Sequence, residues 1–266
     1  RPGRSISQRL LNSPLPPSPH ARKGSQGAHW LRAALRALFC VVFGSFALGS
    51  NAHAQVSGAI TVQNDDRFRG RSVSEGEPVA IASIAYDLES GLSVGGSVVG
   101  TTNGEGVGVS RASGHVSYAK SVGQGFAVDS GVVVQTYTNR YSSGQSQTFV
   151  EAYGGVTWKQ FALHASYSPS YLDAGLETLY VELNAVQDLG GGFRANARGG
   201  VLRRLSGEGS FGGENTRWDA QIGVTKDFDR LSAFVNFSTA GSGEGTYFDG
   251  PWQGRNAVIF GVSRSF

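Results

Sequence analysis

The chain has 266 residues, a formal net charge of +3, 39 glycines, eight prolines, one cysteine and no methionine. Seven of its 23 basic residues and none of its 20 acids lie within positions 1–54, so residues 55–266 hold 16 basic against 20 acidic side chains. That balance removes the electrostatic case for a nucleic-acid partner, and a lone Cys40 leaves 55–266 with neither a disulfide framework nor thiol chemistry.

Residues 1–54 read as a leader. Positions 1–27 are rich in Pro and Ser and look like an over-extended N-terminus. Arg32 and Arg36 then precede an apolar run over 37–48, too short for a membrane-spanning helix, which needs ~20 residues. Ala52-His53-Ala54 supplies a small-x-small pattern. The expectation is a secretory signal peptide cut after about Ala54, with the mature domain over 55–266. Leu38-Phe39 precedes Cys40, where a lipoprotein signal needs small residues, so lipidation is not expected.

From residue 55 onward the recurring unit is about ten alternating residues followed by a turn. Strands are predicted over 57–69, 78–88, 91–101, 109–121, 125–138, 150–158, 161–168, 179–185, 193–201, 218–225, 230–240 and 255–266. Trp218, Ala220, Ile222 and Val224 set against Asp219, Gln221, Gly223 and Thr225 show the pattern most clearly. The connections alternate in length. Tight ones fall at 89–91, 122–125, 159–160, 188–192 and 227–230. Long ones fall at 71–77, 102–108, 139–146, 168–174, 206–215 and 241–254. Pro78, Pro169 and Pro251 fall in or beside the long set, as expected if proline is kept out of sheet interiors.

This layout predicts an all-β fold: a transmembrane antiparallel up-and-down β-barrel of about 12 strands, with short turns at one rim and long loops at the other. Closure follows from backbone chemistry, because unpaired N–H and C=O groups cannot persist in hydrocarbon. A soluble β-sandwich or β-solenoid would also alternate. Against it stand few lysines on the polar faces and aromatics gathered beside the short turns: Phe126, Trp158, Phe161, Phe193, Phe228 and Phe266. An even strand count puts both ends of the barrel at the short-turn rim. The alternating final strand ends on Phe266 and resembles the closing strand of outer-membrane barrels. There the terminal aromatic serves in assembly, which implies the barrel-assembly machinery as a partner. Arg264 falls on the apolar face of that strand and is expected near the membrane edge, its head toward the headgroups.

Several stretches resemble the TorF-type porin family of Gram-negative bacteria. They are Ser57-Gly58-Ala59-Ile60-Thr61-Val62, Asp66-Arg67-Phe68-Arg69-Gly70, Ser72-Val73-Ser74, Glu77-Pro78 and Tyr86-Asp87-Leu88-Glu89-Ser90-Gly91. Ala165-Ser166-Tyr167-Ser168-Pro169-Ser170-Tyr171 with Leu179-Tyr180 is similar to the family's middle hairpin. The family often carries a Tyr just before Arg-Phe-Arg-Gly, where this chain has Asp65-Asp66. The resemblance implies a barrel and a pore, with no substrate attached.

If the apolar faces meet lipid, the other faces line a lumen. Its charged candidates are Asp65, Arg67, Arg69, Asp87, Asp129, Glu151, Glu182, Arg194, Arg198 and Asp219. Mixed charge on an inner wall either selects among solutes or pairs internally and fills the barrel. For Arg67 and Arg69 internal pairing is the favoured reading. The expected function is an outer-membrane porin for passive diffusion of small hydrophilic solutes. The alternative is a non-conducting barrel that serves as an adhesion or structural protein. An outer-membrane lipid hydrolase comes third, on His164-x-Ser166 with Glu177 or Glu182, although alternation puts His164 and Ser166 on the lumen side. No cofactor is expected: His115 and His164 are the two histidines of 55–266, too few for a metal cluster, and Gly104, Gly106 and Gly108 precede no helix.

Overall fold

Apolar side chains recur here every second residue, and a pleated strand puts every second side chain on one face. The computed structural model describes residues 55–103, 106–138, 146–172, 175–207, 214–241 and 256–266. The expected leader and its cleavage site lie outside the described residues. The strands are β1 (Gln55–Gln63), β2 (Arg67–Phe68), β3 (Arg71–Ser72), β4 (Val79–Asp87), β5 (Leu92–Asn103), β6 (Gly106–Gly123) and β7 (Phe126–Thr138). They continue with β8 (Ser146–Trp158), β9 (Phe161–Tyr171), β10 (Leu176–Gly190), β11 (Phe193–Ser206), β12 (Thr216–Phe228), β13 (Leu231–Ala240) and β14 (Ala257–Ser265). Twelve of them close into one antiparallel barrel, each paired with its neighbours along the barrel, while β2 and β3 form a separate small hairpin. No helix among the described residues is long and apolar enough to cross a membrane.

The barrel wears its large apolar side chains outside. Val62, Ile84, Val116, Leu183, Ile222 and Phe260 all point outward and are exposed, within a set that runs from 37% to 66% exposure. A continuous apolar belt of this size is stable only against an apolar surrounding. Phe126 and Trp158 stack at 5.8 Å beside the short turns, and Phe161, Phe193 and Phe228 lie at the same rim. The turns there are tight. Gln124-Gly125 and Gly191-Gly192 take positive φ at both positions, the geometry that suits the twist of a two-residue hairpin.

The seam between β1 and β14 closes the sheet. Ile60 pairs with Arg264, Val62 with Val262, and Gly58 and Phe266 exchange two backbone hydrogen bonds of 3.1 and 3.0 Å. Arg264 also pairs with Leu231, the first residue of β13, which places it at the short-turn rim. The Phe266 ring lies over Gly58: a Cβ there would meet its Cε2 at 2.5 Å.

Three expectations need correction. The first strand ends at Gln63, so 64–69 belongs to the connection between β1 and β4. The cause is Asn64, whose side chain accepts from Phe260 N (2.8 Å) and donates to Val258 O (3.0 Å), taking up the ladder where β1 would have continued. The loop expected over 102–108 is largely strand: Thr102 pairs with Val107 and Asn103 with Gly106. Pro169 lies within β9, at a register shift between β9 and β10 and beyond the last residue that β9 pairs with β8. A missing N–H costs nothing at such a place.

The seam yields a test. Replacing Gly58 by Leu should overpack the Phe266 ring and cost about 1–3 kcal/mol. The folded, heat-modifiable band on a gel should diminish, and adding Phe266→Ala should recover part of it by removing the clash. An unchanged folded fraction for Gly58→Leu would mean that the ring does not sit on the seam.

Candidate functional site

Residues 65–71 read Asp-Asp-Arg-Phe-Arg-Gly-Arg, a charge density that no lipid-facing strand could carry. The structure folds this stretch into the barrel. Asp65 organises it: its Oδ2 accepts from Arg67 Nε (2.7 Å), and its Oδ1 accepts from the hydroxyls of Ser72 (2.5 Å) and Ser74 (3.0 Å). Arg67 Nη1 also donates to Gly70 O (2.8 Å), and Val73 N donates to Asp66 O (2.8 Å). These short-range bonds hold the β2–β3 hairpin together as a unit.

The hairpin is fastened to opposite sides of the lumen. Asp66 accepts two bonds from Arg111 on β6, at 3.1 and 3.0 Å. Burial pushes the Asp66 carboxyl above the usual carboxylate range, against the pull of Arg111. A pair so costly to desolvate does more to fix position than to add stability. Arg69 donates to Glu151 on β8 at 2.6 Å, with side chains only 4% and 6% exposed. Arg71 donates to Gly241 O, just beyond β13. Phe68 packs against Tyr137 at 5.7 Å and Phe149 at 6.1 Å. Gly70, at φ +76, lies against β12 and β13, where a Cβ would come within 2.7 Å of the Asp219 Cβ and 2.9 Å of the Ala240 Cβ.

Together these contacts pack the hairpin into the lumen at its long-loop half. Every wall strand from β4 to β14 contributes a buried inward residue to this level: Val79, Val99, Ser110, Tyr137, Glu151, Tyr171, Tyr180, Leu202, Asp219, Ser238 and Ile259. β1 completes the circle by running on into buried Asp65. The apolar core of the protein sits here too, as a cluster of Tyr137, Phe149, Tyr171, Leu176, Tyr180 and Leu202 around Phe68 and Val73. Toward the short-turn rim the wall formed by β1, β4, β5 and β6 changes to small and polar residues. A cavity of about 300 Å³ lies there against Ser57, Ala59, Ser83, Ala85, Ser97, Ser113 and His115.

The sequence candidates fall into two groups. Asp65, Arg67 and Arg69 belong to the hairpin, not to the wall, which corrects the strand reading of that stretch. Asp129, Glu151, Glu182, Arg194, Arg198 and Asp219 project from wall strands, and Asp87 is exposed at the end of β4. Opposite charges meet: Arg69 with Glu151, Arg198 with Asp219 (3.1 Å) and Arg194 with Asp227 (2.7 Å). Glu182 accepts from Asn184 at 3.1 Å. His164 Nε2 lies 3.1 Å from Asp129 Oδ2. His164 and Ser166 face the lumen, away from the apolar belt. Asp66, Arg71 and Arg111 escaped the sequence reading. The density of charge over 65–71 was the available signal for the first two. Arg111 follows a β5–β6 register shift that breaks simple alternation.

A model of the bacterial protein family of unknown function Gcw_chp matches residues 47–266. The chain belongs to this family. No curated protein matches it. Among solved structures it is similar to the NanC porin, with a TM-score of 0.49 and 10% identity over 80% of this chain and 99% of that one. It is also similar to the KdgM porin in complex with disordered oligogalacturonate, with a TM-score of 0.48 and 8% identity over 80% and 99%. A third is the COG4313 outer membrane channel from Pseudomonas putida F1, with a TM-score of 0.44 and 10% identity over 83% and 97%.

The hairpin's attachment can be measured. Removing one partner of a buried ion pair strands the other, at a cost of about 3–5 kcal/mol. Glu151→Ala should therefore sharply raise amide exchange over 65–76 while leaving the exchange of the barrel strands in place. Unchanged protection of the hairpin would show that Arg69 does not hold it.

Proposed function

We propose that this protein is an outer-membrane channel for passive diffusion of small hydrophilic solutes, closed when the 64–78 segment is seated and open when it leaves the lumen. The observation that carries this reading is the unbroken ring of buried inward residues around a charged hairpin. A barrel of eight strands is filled by its own side chains, and a wider one is not. Twelve strands leave an interior that this chain fills with a loop. That loop's composition favours a movable part: five of the seven residues 65–71 are charged, and once withdrawn they would be hydrated. An apolar plug would resist withdrawal. The serine-rich vestibule toward the short-turn rim suits hydrated solutes. The resemblance of residues 57–91 to TorF-type porins points the same way. The apolar belt supplies the lipid contact, and Phe266 the expected contact with the barrel-assembly machinery.

The packing of Phe68 on Tyr137 and Phe149 supports a second reading, in which the hairpin is permanent. The barrel would then be a non-conducting scaffold whose long loops are its working surface.

Planar-bilayer recording separates the two. The protein with its hairpin intact should show long silent periods with brief steps. A variant in which residues 65–76 are replaced by a short Gly-Ser linker should conduct steadily, with a larger unitary step. A linker variant that folds yet remains silent across a range of salts would sink the channel reading.

A further inference from the structure

The wall around Arg69 is shaped to receive a cation, and Arg69 fills it from within the same chain. Its guanidinium carbon lies 4.1 Å from the ring centre of Tyr180, 5.2 Å from that of Tyr171 and 4.7 Å from that of Phe68. One edge donates to Glu151. Phe68 travels with the hairpin, whereas Tyr171, Tyr180 and Glu151 belong to the rigid strands β9, β10 and β8. Those three are therefore a site that persists whether or not the hairpin is in place.

We propose that Tyr171, Tyr180 and Glu151 form a binding site for guanidinium-bearing solutes, with Arg69 as its built-in occupant. The charge balance favours a cation there. Asp219, another nearby acid, accepts from Arg198 at 3.1 Å and from the Tyr180 hydroxyl at 2.9 Å, so its hydrogen-bond partners stay on the wall. Glu151 has Arg69 as its cation; its remaining oxygen accepts from Gln135 at 3.4 Å, a neutral donor. Withdrawal of the hairpin leaves Glu151 without its cation beside the faces of Tyr171 and Tyr180, a place that a cation of matching shape can take over. The two tyrosine faces set which one. A flat, weakly hydrated guanidinium gains from stacking on aromatic faces and from donating to a carboxylate at its edge. A small, strongly hydrated ion such as sodium gains neither. The hydroxyl of Tyr180 is held by Asp219, which fixes that ring in its stacking position.

Guanidinium solutes and the hairpin then compete for the same wall. A solute that binds only when Arg69 is out shifts the population toward the released hairpin by mass action. The site would thereby couple cargo to opening. This second step rests on the channel reading above; the binding site itself does not.

The test uses the full mature barrel with the Arg69 side chain removed. Arg69 sits at φ 49, a conformation glycine adopts without strain, so Arg69→Gly is the variant of choice. Its thermal unfolding midpoint is followed with millimolar methylguanidinium, with sodium chloride and urea as the ionic and the neutral, shape-matched controls. Methylguanidinium should raise the midpoint saturably by several degrees, and the controls should not. The rise should vanish in Arg69→Gly combined with Glu151→Gln. No rise, or an equal rise in the double variant, overturns the site. If Arg69→Gly does not fold, Arg69→Asn, a residue type that also tolerates a left-handed backbone, is read in the same way. A saturable rise of its midpoint with methylguanidinium alone supports the site, and no rise overturns it. Neither measurement depends on conductance, so a silent barrel that binds methylguanidinium defeats only the channel reading.

Discussion

Closure of the sheet on itself is the constraint from which the rest follows. A strand edge facing hydrocarbon would leave a row of peptide groups without partners, each costing several kcal/mol. The ladder between β1 and β14 removes that edge, and it ends on the paired backbone of Gly58 and Phe266. Once closed, the wall can be apolar outside only if every second residue turns inward. The inward residues cannot all be charged or large. The chain resolves this by dividing the lumen: small and polar side chains with the Arg194–Asp227 and His164–Asp129 pairs toward the short turns, and the aromatic cluster around the charged hairpin toward the long loops.

The long-loop half needs a filler that twelve strands of side chains do not supply, and the β1–β4 connection provides it. Its design is polar where a soluble core would be apolar. Asp65 folds the hairpin onto itself, and Asp66, Arg69 and Arg71 tie it to β6, β8 and the end of β13. Buried ion pairs of this kind contribute little net stability against well-packed apolar residues, but they are strict about position. A hairpin held by three separated polar ties and by Phe68 on two aromatic rings is specific when seated and, being rich in charge, would be soluble when released. That combination is what the proposed gate requires.

Much of this was legible in the residues. Alternation over 218–225 and 161–168 gave β12 and β9 their inward and outward faces, and the tight turns at 124–125 and 191–192 gave one rim. The even count of strands, and with it both ends of the barrel at the short-turn rim, followed from counting turns. The hairpin was misread because Asp65, Arg67 and Arg69 continue the alternating parity of β1. Periodicity cannot separate an inward strand residue from a loop that folds inward. The ladder ends at Asn64 through a side chain that imitates a backbone partner, and that contact depends on Val258 and Phe260, nearly two hundred residues away. The cage around Arg69 was out of reach for the same reason. Tyr171 fell within the connection expected over 168–174, Tyr180 read only as one residue of the strand over 179–185, and Glu151 as one inward acid among several.

Residues 55–266 contain no cysteine, so a tether can be installed and broken at will. A Cβ at Gly70 would lie 2.9 Å from the Cβ of Ala240 on β13, close enough for a cross-link after a small adjustment. The most direct measurement is the single-channel conductance of Gly70→Cys/Ala240→Cys, recorded oxidised and then reduced in the same bilayer. The oxidised protein should be silent, and reduction should restore brief openings. Openings that persist in the oxidised protein, or a barrel that stays silent after reduction, would contradict a lumen gated by this hairpin.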